Sequence, residues 1–268
     1  MAKRRSTVVS LGEVLWDIFP DGARFGGAPA NVACHAAALG ANAVMVSQVG
    51  KDQLGSEALD ALQQRGVDTE YVSASADFPT GTVTVELDAS GKPSFTISED
   101  VAWDYLPWTD TLKSLASQTD AVCFGTLGQR SKVARDTIRS FLTHTADTAL
   151  RILDVNLRPP FYSDQLIEDS VGLANVLKFS DDELDCLASA CSITGNETEI
   201  VQELIGRYDL QLIALTRGAK GATLYRQNER DDAPGVAVSV KDTVGAGDAY
   251  TASLITGLLD RLPLPTIN

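Results

Sequence analysis

Short apolar, β-branched runs alternating with helical stretches constrain this chain more than any other feature. Thr7–Leu11 is such a run and stops at Gly12, residues 31–39 make an apolar helical stretch that stops at Gly40, and residues 43–49 make the next run. The order returns with Ala121–Gly125, a helical stretch at 133–145, a run at 151–155 and a helix after Asp164. Strands joined through helices lie parallel, and the crossovers put helices on both faces of the sheet. The expected fold class is therefore α/β: a Rossmann-like, mostly parallel central sheet with helices on both faces.

One region departs from this alternation. Residues 82–87 alternate polar and apolar, 88–93 turn around Gly91, and 94–98 alternate again, which predicts a β-hairpin with one face exposed. A small appended sheet of this kind suits a lid. Trp103, Tyr105 and Trp108 follow it and read as packing at a seam. No repeat and no long Gly/Ser or Pro-rich linker is visible, so a single domain over 1–268 is expected, with lid segments near 13–25 and 82–103.

Charge narrows the partners. Lys and Arg number 22 against 36 Asp and Glu, a formal net charge of −14, which argues against a nucleic-acid or anionic-membrane surface. An anionic small molecule would then need a metal ion, a few placed cations, or backbone amides at a helix N-terminus. Cys34, Cys123, Cys186 and Cys191 show no paired spacing and the histidines are His35 and His144, so no zinc site is expected. The basic start runs into Glu13 and Asp17, unlike a secretory signal, and no apolar run is long enough to span a bilayer. A soluble, cytoplasmic, reduced protein is the expectation.

The strongest local signal is Asp242-Thr243-Val244-Gly245-Ala246-Gly247-Asp248, running into an amphipathic stretch at 249–262. Small residues before a helix leave backbone N–H groups unpaired at its positive end. Such a cradle stabilises charge developing on a transferring phosphoryl group, and Asp248 at its rim can take a proton from an attacking hydroxyl. The same residues also read as a tight turn with Asp248 as N-cap. Tyr250 stands where a dinucleotide fingerprint needs its third glycine, and the pairs Gly50-Lys51 and Gly91-Lys92 lack the rest of a P-loop. A second signal is Gly26-Gly27-Ala28-Pro29-Ala30-Asn31, followed by Gly40 and Gly50. Paired glycines let a ligand approach the backbone, and Asn31 can bond a hydroxyl, although a plain loop-to-helix turn reads the same way.

Taken together, the two patterns resemble the two signatures of the ribokinase-like, or PfkB, carbohydrate kinases, a resemblance that extends from about Ser10 to the C-terminus. Gly12-Glu13-Val14-Leu15-Trp16-Asp17 and Asp154-Val155-Asn156-Leu157-Arg158-Pro159 look most like the fructokinase branch. The resemblance implies that Asp17, Gly26, Gly27, Asn31 and Asn156 hold a sugar, with Asp248 as base and the amides of Gly245, Ala246 and Gly247 as the anion cradle. Arg158 would reach the sugar or the transferring phosphate, as an acidic protein needs a cation there. Lys178-Phe179-Ser180-Asp181-Asp182-Glu183 resembles the family's Asn-x-x-Glu element. It puts Lys178 and Ser180 near the nucleotide and Glu183 on Mg²⁺ through water, with Ser180 standing where the family has Asn. Thr216-Arg217-Gly218-Ala219-Lys220-Gly221 resembles the nucleotide loop, with Thr216, Arg217, Gly218 and Gly221 at the phosphates. Asp242 and the Val244 carbonyl would begin a site for a monovalent cation, K⁺.

The resemblance implies an ATP-dependent kinase that transfers the γ-phosphate to a hydroxyl of a small sugar, fructose first. Ribose, 2-keto-3-deoxygluconate or a nucleoside as acceptor stays open. So does a catalytically weak, sugar-binding regulatory protein of the same fold, because family members continue with further helices where this chain ends at Asn268, and a shortened chain is expected. The exposed lid sheet is the surface expected to make a homodimer.

Overall fold

A computed structural model describes residues 4–87, 93–237 and 243–268. The chain opens with β1 (Thr7–Leu11), the hairpin β2 (Leu15–Phe19) and β3 (Gly22–Gly26), α1 (Ala28–Ala38), β4 (Asn42–Gly50), α2 (Gln53–Gln64) and β5 (Val72–Ser75). A second hairpin, β6 (Gly81–Leu87) and β7 (Pro93–Ile97), leads to α3 (Asp110–Ala116), β8 (Ala121–Gly125), α4 (Lys132–His144), β9 (Leu150–Asp154), α5 (Asp164–Leu173) and β10 (Val176–Ser180). The remainder is α6 (Leu184–Ala190), α7 (Glu197–Tyr208), β11 (Leu212–Thr216), β12 (Gly221–Arg226), β13 (Glu229–Pro234), α8 (Ala246–Leu259) and α9 (Leu264–Ile267).

Among the described residues the main sheet has nine strands, in the order β13-β12-β11-β10-β9-β8-β1-β4-β5. From β11 to β5 the pairing is parallel. Strand side chains alternate between two apolar layers, as the period of two requires. Val8, Cys123, Ile152 and Val176 pack toward α1 and α8, while Val9, Val122, Leu153 and Leu177 join the larger core that includes residues of α3 to α7. Both faces are covered, which explains why these strands read as continuous apolar runs. Strand–helix alternation does not predict the antiparallel pair β12 and β13 at one edge; β13, Glu-Arg-Asp-Asp-Ala-Pro, carries charge in place of an apolar period.

The small sheet runs β3-β2-β6-β7 and takes both hairpins. Its β6–β7 arms fall where polar–apolar alternation predicts them; of the predicted turn, residues 88–92 lie outside the described residues. The β2–β3 arm shows in sequence only as a lid segment, because both strands are half-buried or exposed along most of their length and carry no clean apolar alternation. α1 begins at Ala28 rather than Asn31: Pro29 fits a first helical turn, where its missing N–H costs nothing. Trp103 is buried under the Arg130 guanidinium, which sits 4.0 Å from its ring, Tyr105 stacks on Phe78, and Trp108 packs on the larger core. Among the described residues no helix is long and apolar enough to cross a membrane.

Candidate active site

The chain leaves β1 toward β4 and β5 on one side of the sheet, then returns to build β8, β9 and β10 on the other. Where strand order reverses, the loops at the carboxyl ends diverge and open a crevice. Glu13 follows β1, Thr126 follows β8, and Asp154 and Asn156 close β9; together with Ala28 and Pro29 of α1 they line a small cavity of about 20 Å³ at this point.

Two helix N-termini meet above it. Gly27, at φ 105°, precedes α1, and a Cβ there would lie 2.6 Å from the Glu13 carbonyl oxygen, so only glycine lets the turn rest on the end of β1. Gly245, at φ 76°, precedes α8. Asp248 is therefore the third residue of the helix rather than its cap. Gly247 and Asp248 present first-turn amides that have no acceptor within the helix, whereas the Ala246 amide donates to the Thr243 carbonyl at 3.2 Å.

Asn31 joins the two termini by donating its side-chain amide to Asp248 Oδ2 at 2.8 Å. Burial pushes the Asp248 carboxyl up to about 6; the Asn31 bond pulls it down, Asp154 adds to the rise, and Lys178 and Arg158 oppose it. Asp17 on β2 approaches Gly26, where a Cβ would lie 2.7 Å from Asp17 Oδ2. Its carboxyl is raised by burial and lowered by Arg158 and Arg24. Arg158 is exposed on the loop after β9, donating to the Leu157 carbonyl, and its charge acts to lower the proton affinity of Glu13, Asp17 and Asp248. Asp17, Gly26, Gly27, Asn31, Asn156, Arg158 and Asp248 therefore gather around one crevice.

Beneath the α8 terminus lies an ion pair that the motifs do not reveal. Parallel register sets Lys178 on β10 beside Asp154 on β9. The Lys178 ammonium donates to both Asp154 oxygens at 3.0 and 2.9 Å, and both side chains are more than nine-tenths buried. Burial works against the ammonium, but Asp154, Glu183 and Asp248 together raise the Lys178 pKa. Thr251 on α8 donates to Asp154 Oδ2, tying the pair to the helix. A Cβ on Gly247 would sit 3.2 Å from Lys178 Nζ, so the ammonium end of the ion pair lies directly under the cradle.

Further along the sheet edge, register pairs Ser180 with Thr216. Glu183 Oε2 accepts from the Ser180 amide and hydroxyl, and its Oε1 accepts from the Leu157 amide at 2.7 Å, bracing the loop that carries Arg158. The Arg217 guanidinium donates to Glu197 and Thr223, on the far side of its own turn. Gly218, at φ 52°, has open space where a Cβ would stand, whereas at Gly221 a Cβ would strike the Ala233 carbonyl. Room for a ligand is at Gly218; Gly221 is required by the β13 edge. Asp242 lies outside the described residues. Among those described, no cluster of three or more His, Cys, Asp or Glu residues forms a metal cage, and the four cysteines are free. Mg²⁺ retains water and uses one or two carboxylates plus phosphate oxygens, so a single Glu183 already engaged by Ser180 and Leu157 fits a contact through water.

A switch-point crevice with an anion cradle, a half-buried carboxylate and a flanking four-stranded sheet suits a phosphotransferase acting on an alcohol group. The chain belongs to the pfkB family of carbohydrate kinases, whose family model matches residues 21–267. A fructokinase of Salmonella typhimurium is 30% identical over 260 residues, covering 92% of this chain and 83% of that one. A putative sugar kinase of Pyrococcus horikoshii is 30% identical over 270 residues, covering 94% and 82%; its complex with ATP matches this fold with a TM-score of 0.79, covering 96% and 86%. A fructokinase double mutant of Vibrio cholerae O395, bound to fructose, ADP and potassium ion, matches with a TM-score of 0.80 at 25% identity, covering 96% and 85%. The chain is a sugar kinase of this family.

Proposed function

We propose that this sugar kinase transfers the γ-phosphate of ATP to a hydroxyl of fructose. The observation that carries the reading is the Asp248 carboxylate, half-buried at the lip of the α8 cradle and held by Asn31 from the opposite helix. In the reaction Asp248 takes the proton of the sugar hydroxyl as its oxygen attacks the γ-phosphorus. The phosphorus–oxygen bond to ADP breaks, and charge on the transferring group is met by the amides of Gly247 and Asp248, by Lys178 beneath them and by Arg158. Asp17, Gly26, Gly27, Asn31 and Asn156 orient the sugar. Lys178, Ser180, Thr216 and Gly218 line the path for the nucleotide, with Arg217 and Gly221 shaping its loop. Mg²⁺ would be held by phosphate oxygens and, through water, by Glu183, and would neutralise phosphate charge. The Val244 carbonyl stands as a ligand for K⁺ together with Asp242.

In this reading the chain is one domain, and the β3-β2-β6-β7 sheet is a lid whose closure excludes water that would otherwise hydrolyse ATP. Its outer face is the surface for a homodimer, which sedimentation showing only monomer would exclude. An ATP-consuming enzyme with four free cysteines suits the cytoplasm.

The deciding experiment measures ADP release with Mg-ATP and fructose, ribose, 2-keto-3-deoxygluconate or adenosine. Fructose-dependent turnover that Asp248→Asn abolishes, with sugar binding retained, supports the reading. Faster turnover with another acceptor replaces fructose, and turnover retained in Asp248→Asn removes the base. Sugar binding without turnover would mean a regulatory protein.

A further inference from the structure

Glu13 takes no part in the proton or phosphoryl transfer, yet its carboxyl is enclosed at the floor of the crevice. The side chain lies between the end of β1 and the cavity shared with Asp154, Asn156 and Thr126. On the side of α4, Gly128 closes it in: a Cβ there would come within 3.5 Å of Glu13 Oε2. Ala28 and Pro29, the first two residues of α1, line the same cavity as this side chain, and the backbone amides of Glu13 and Ala28 act to lower the carboxyl's proton affinity. The Glu13 carbonyl supports Gly27 from below, where a Cβ would lie 2.6 Å away. The main chain and the side chain of this one residue therefore both lie against the start of α1. One turn further along α1, Asn31 holds Asp248.

We propose that Glu13 is a positioning residue: it seats the first turn of α1 and thereby sets both the sugar-binding Gly27–Asn31 turn and the Asn31 contact to Asp248. This inference rests on the reading of Asp248 as the base. A carboxyl oxygen facing first-turn amides holds a helix start more firmly than an apolar side chain, and the helix dipole favours negative charge there. Its titration belongs to the site. The charged groups around it are Arg158 from the loop after β9, Asp248 from α8 and Asp154 from β9, whose charge Lys178 on β10 balances; Cys123 on β8 lines the same cavity. Burial lifts the Glu13 carboxyl to about 7, its backbone amide contacts and Arg158 oppose the rise, and Asp248 adds to it. Glu13 and Asp248 then titrate as interacting neighbours, in two steps that belong to the pair.

The test compares the whole chain with Glu13→Gln, which keeps an acceptor for the Ala28 amide, and with Glu13→Ala, which does not. Amide hydrogen exchange of the ligand-free proteins is followed at 27–32 and 246–250 against the distant edge strands β12 and β13. The pH profile of kcat/KM is measured with whichever acceptor the wild type turns over fastest. Glu13→Ala should raise exchange about tenfold at 27–32 and 246–250 while leaving β12 and β13 unchanged, as expected for the loss of one buried anchor. Glu13→Gln should exchange like the wild type and lose the inflection near pH 7. Unchanged exchange in Glu13→Ala, or a Glu13→Gln profile that superposes on the wild type, overturns the proposal. If Glu13→Ala does not fold, the Glu13→Gln profile decides alone. Asp248→Asn separates the two readings: turnover retained there fails the base, whereas the exchange experiment judges Glu13 without any turnover.

Discussion

The side-chain amide of Asn31 and the carboxylate of Asp248, 217 residues apart in sequence, meet at 2.8 Å and join the starts of α1 and α8. The bond stabilises the ionised form of Asp248. Asn31→Ala should therefore move the acid limb of the kcat/KM profile to higher pH by about one unit, since a hydrogen bond to a charged group is worth about 1.5–3 kcal/mol. It should also raise the sugar KM. A limb left in place would show that the two side chains do not communicate.

Asp248 must be ionised to accept a proton, and burial raises its pKa to about 6. Turnover should climb about tenfold per pH unit below that value, and above it only the shallower step contributed by Glu13 should remain. Initial rates across the acid and neutral range, at constant ionic strength, measure this. Nearly flat rates on both sides of the Asp248 pKa would contradict a base of this kind.

Stability should respond in the opposite direction. Glu13 rises from its ordinary 4.5 to about 7, so the folded state binds protons more tightly than the unfolded one. The contribution is complete below pH 4.5 and is lost as pH rises through about 7; a rise of this size is worth roughly 3 kcal/mol. Relative to wild type, Glu13→Gln should gain melting temperature as pH is raised through that window. A difference between the two proteins that stays constant with pH would refute this.

Lys178→Met should destabilise the protein by about 3–5 kcal/mol, because it strands the Asp154 carboxylate in a buried site. Replacing the pair together, as Lys178→Met with Asp154→Leu, should recover part of that loss. Urea unfolding of the single and double variants measures the coupling. Additive losses would show that the pair contributes no interaction energy.

Gly245→Ala places a side chain at φ 76°, at a cost of about 1–2 kcal/mol. The new Cβ would also stand 3.8 Å from the Asn31 amide and 4.0 Å from Asp248 Oδ2. Turnover should fall further than stability does, and comparing kcat with the unfolding midpoint separates the two effects.

Sequence by itself carried the α/β class, several of the parallel strands and the two glycine motifs on which many of the proposed site residues lie. Apolar period, breakers and small-residue turns are local properties, legible wherever an element is long enough to show them. The parallel strands β1, β4, β8 and β9 and the glycine turns at 26–27 and 245–247 are visible for this reason, whereas β10 and β5 are found only in the folded sheet. β2 and β3, half-buried or exposed along most of their length, and the charged edge strand β13 carry no such period. Tertiary structure alone decided which polar side chains meet. Lys178 reaches Asp154 only through the register of β10 on β9, and Glu13 became an enclosed carboxyl only when α1 and Gly128 closed over it. Glu183 braces Leu157 by the same means, across 26 residues. Burial and long-range contact set charge, proton affinity and partner together, and neither is encoded in a local pattern.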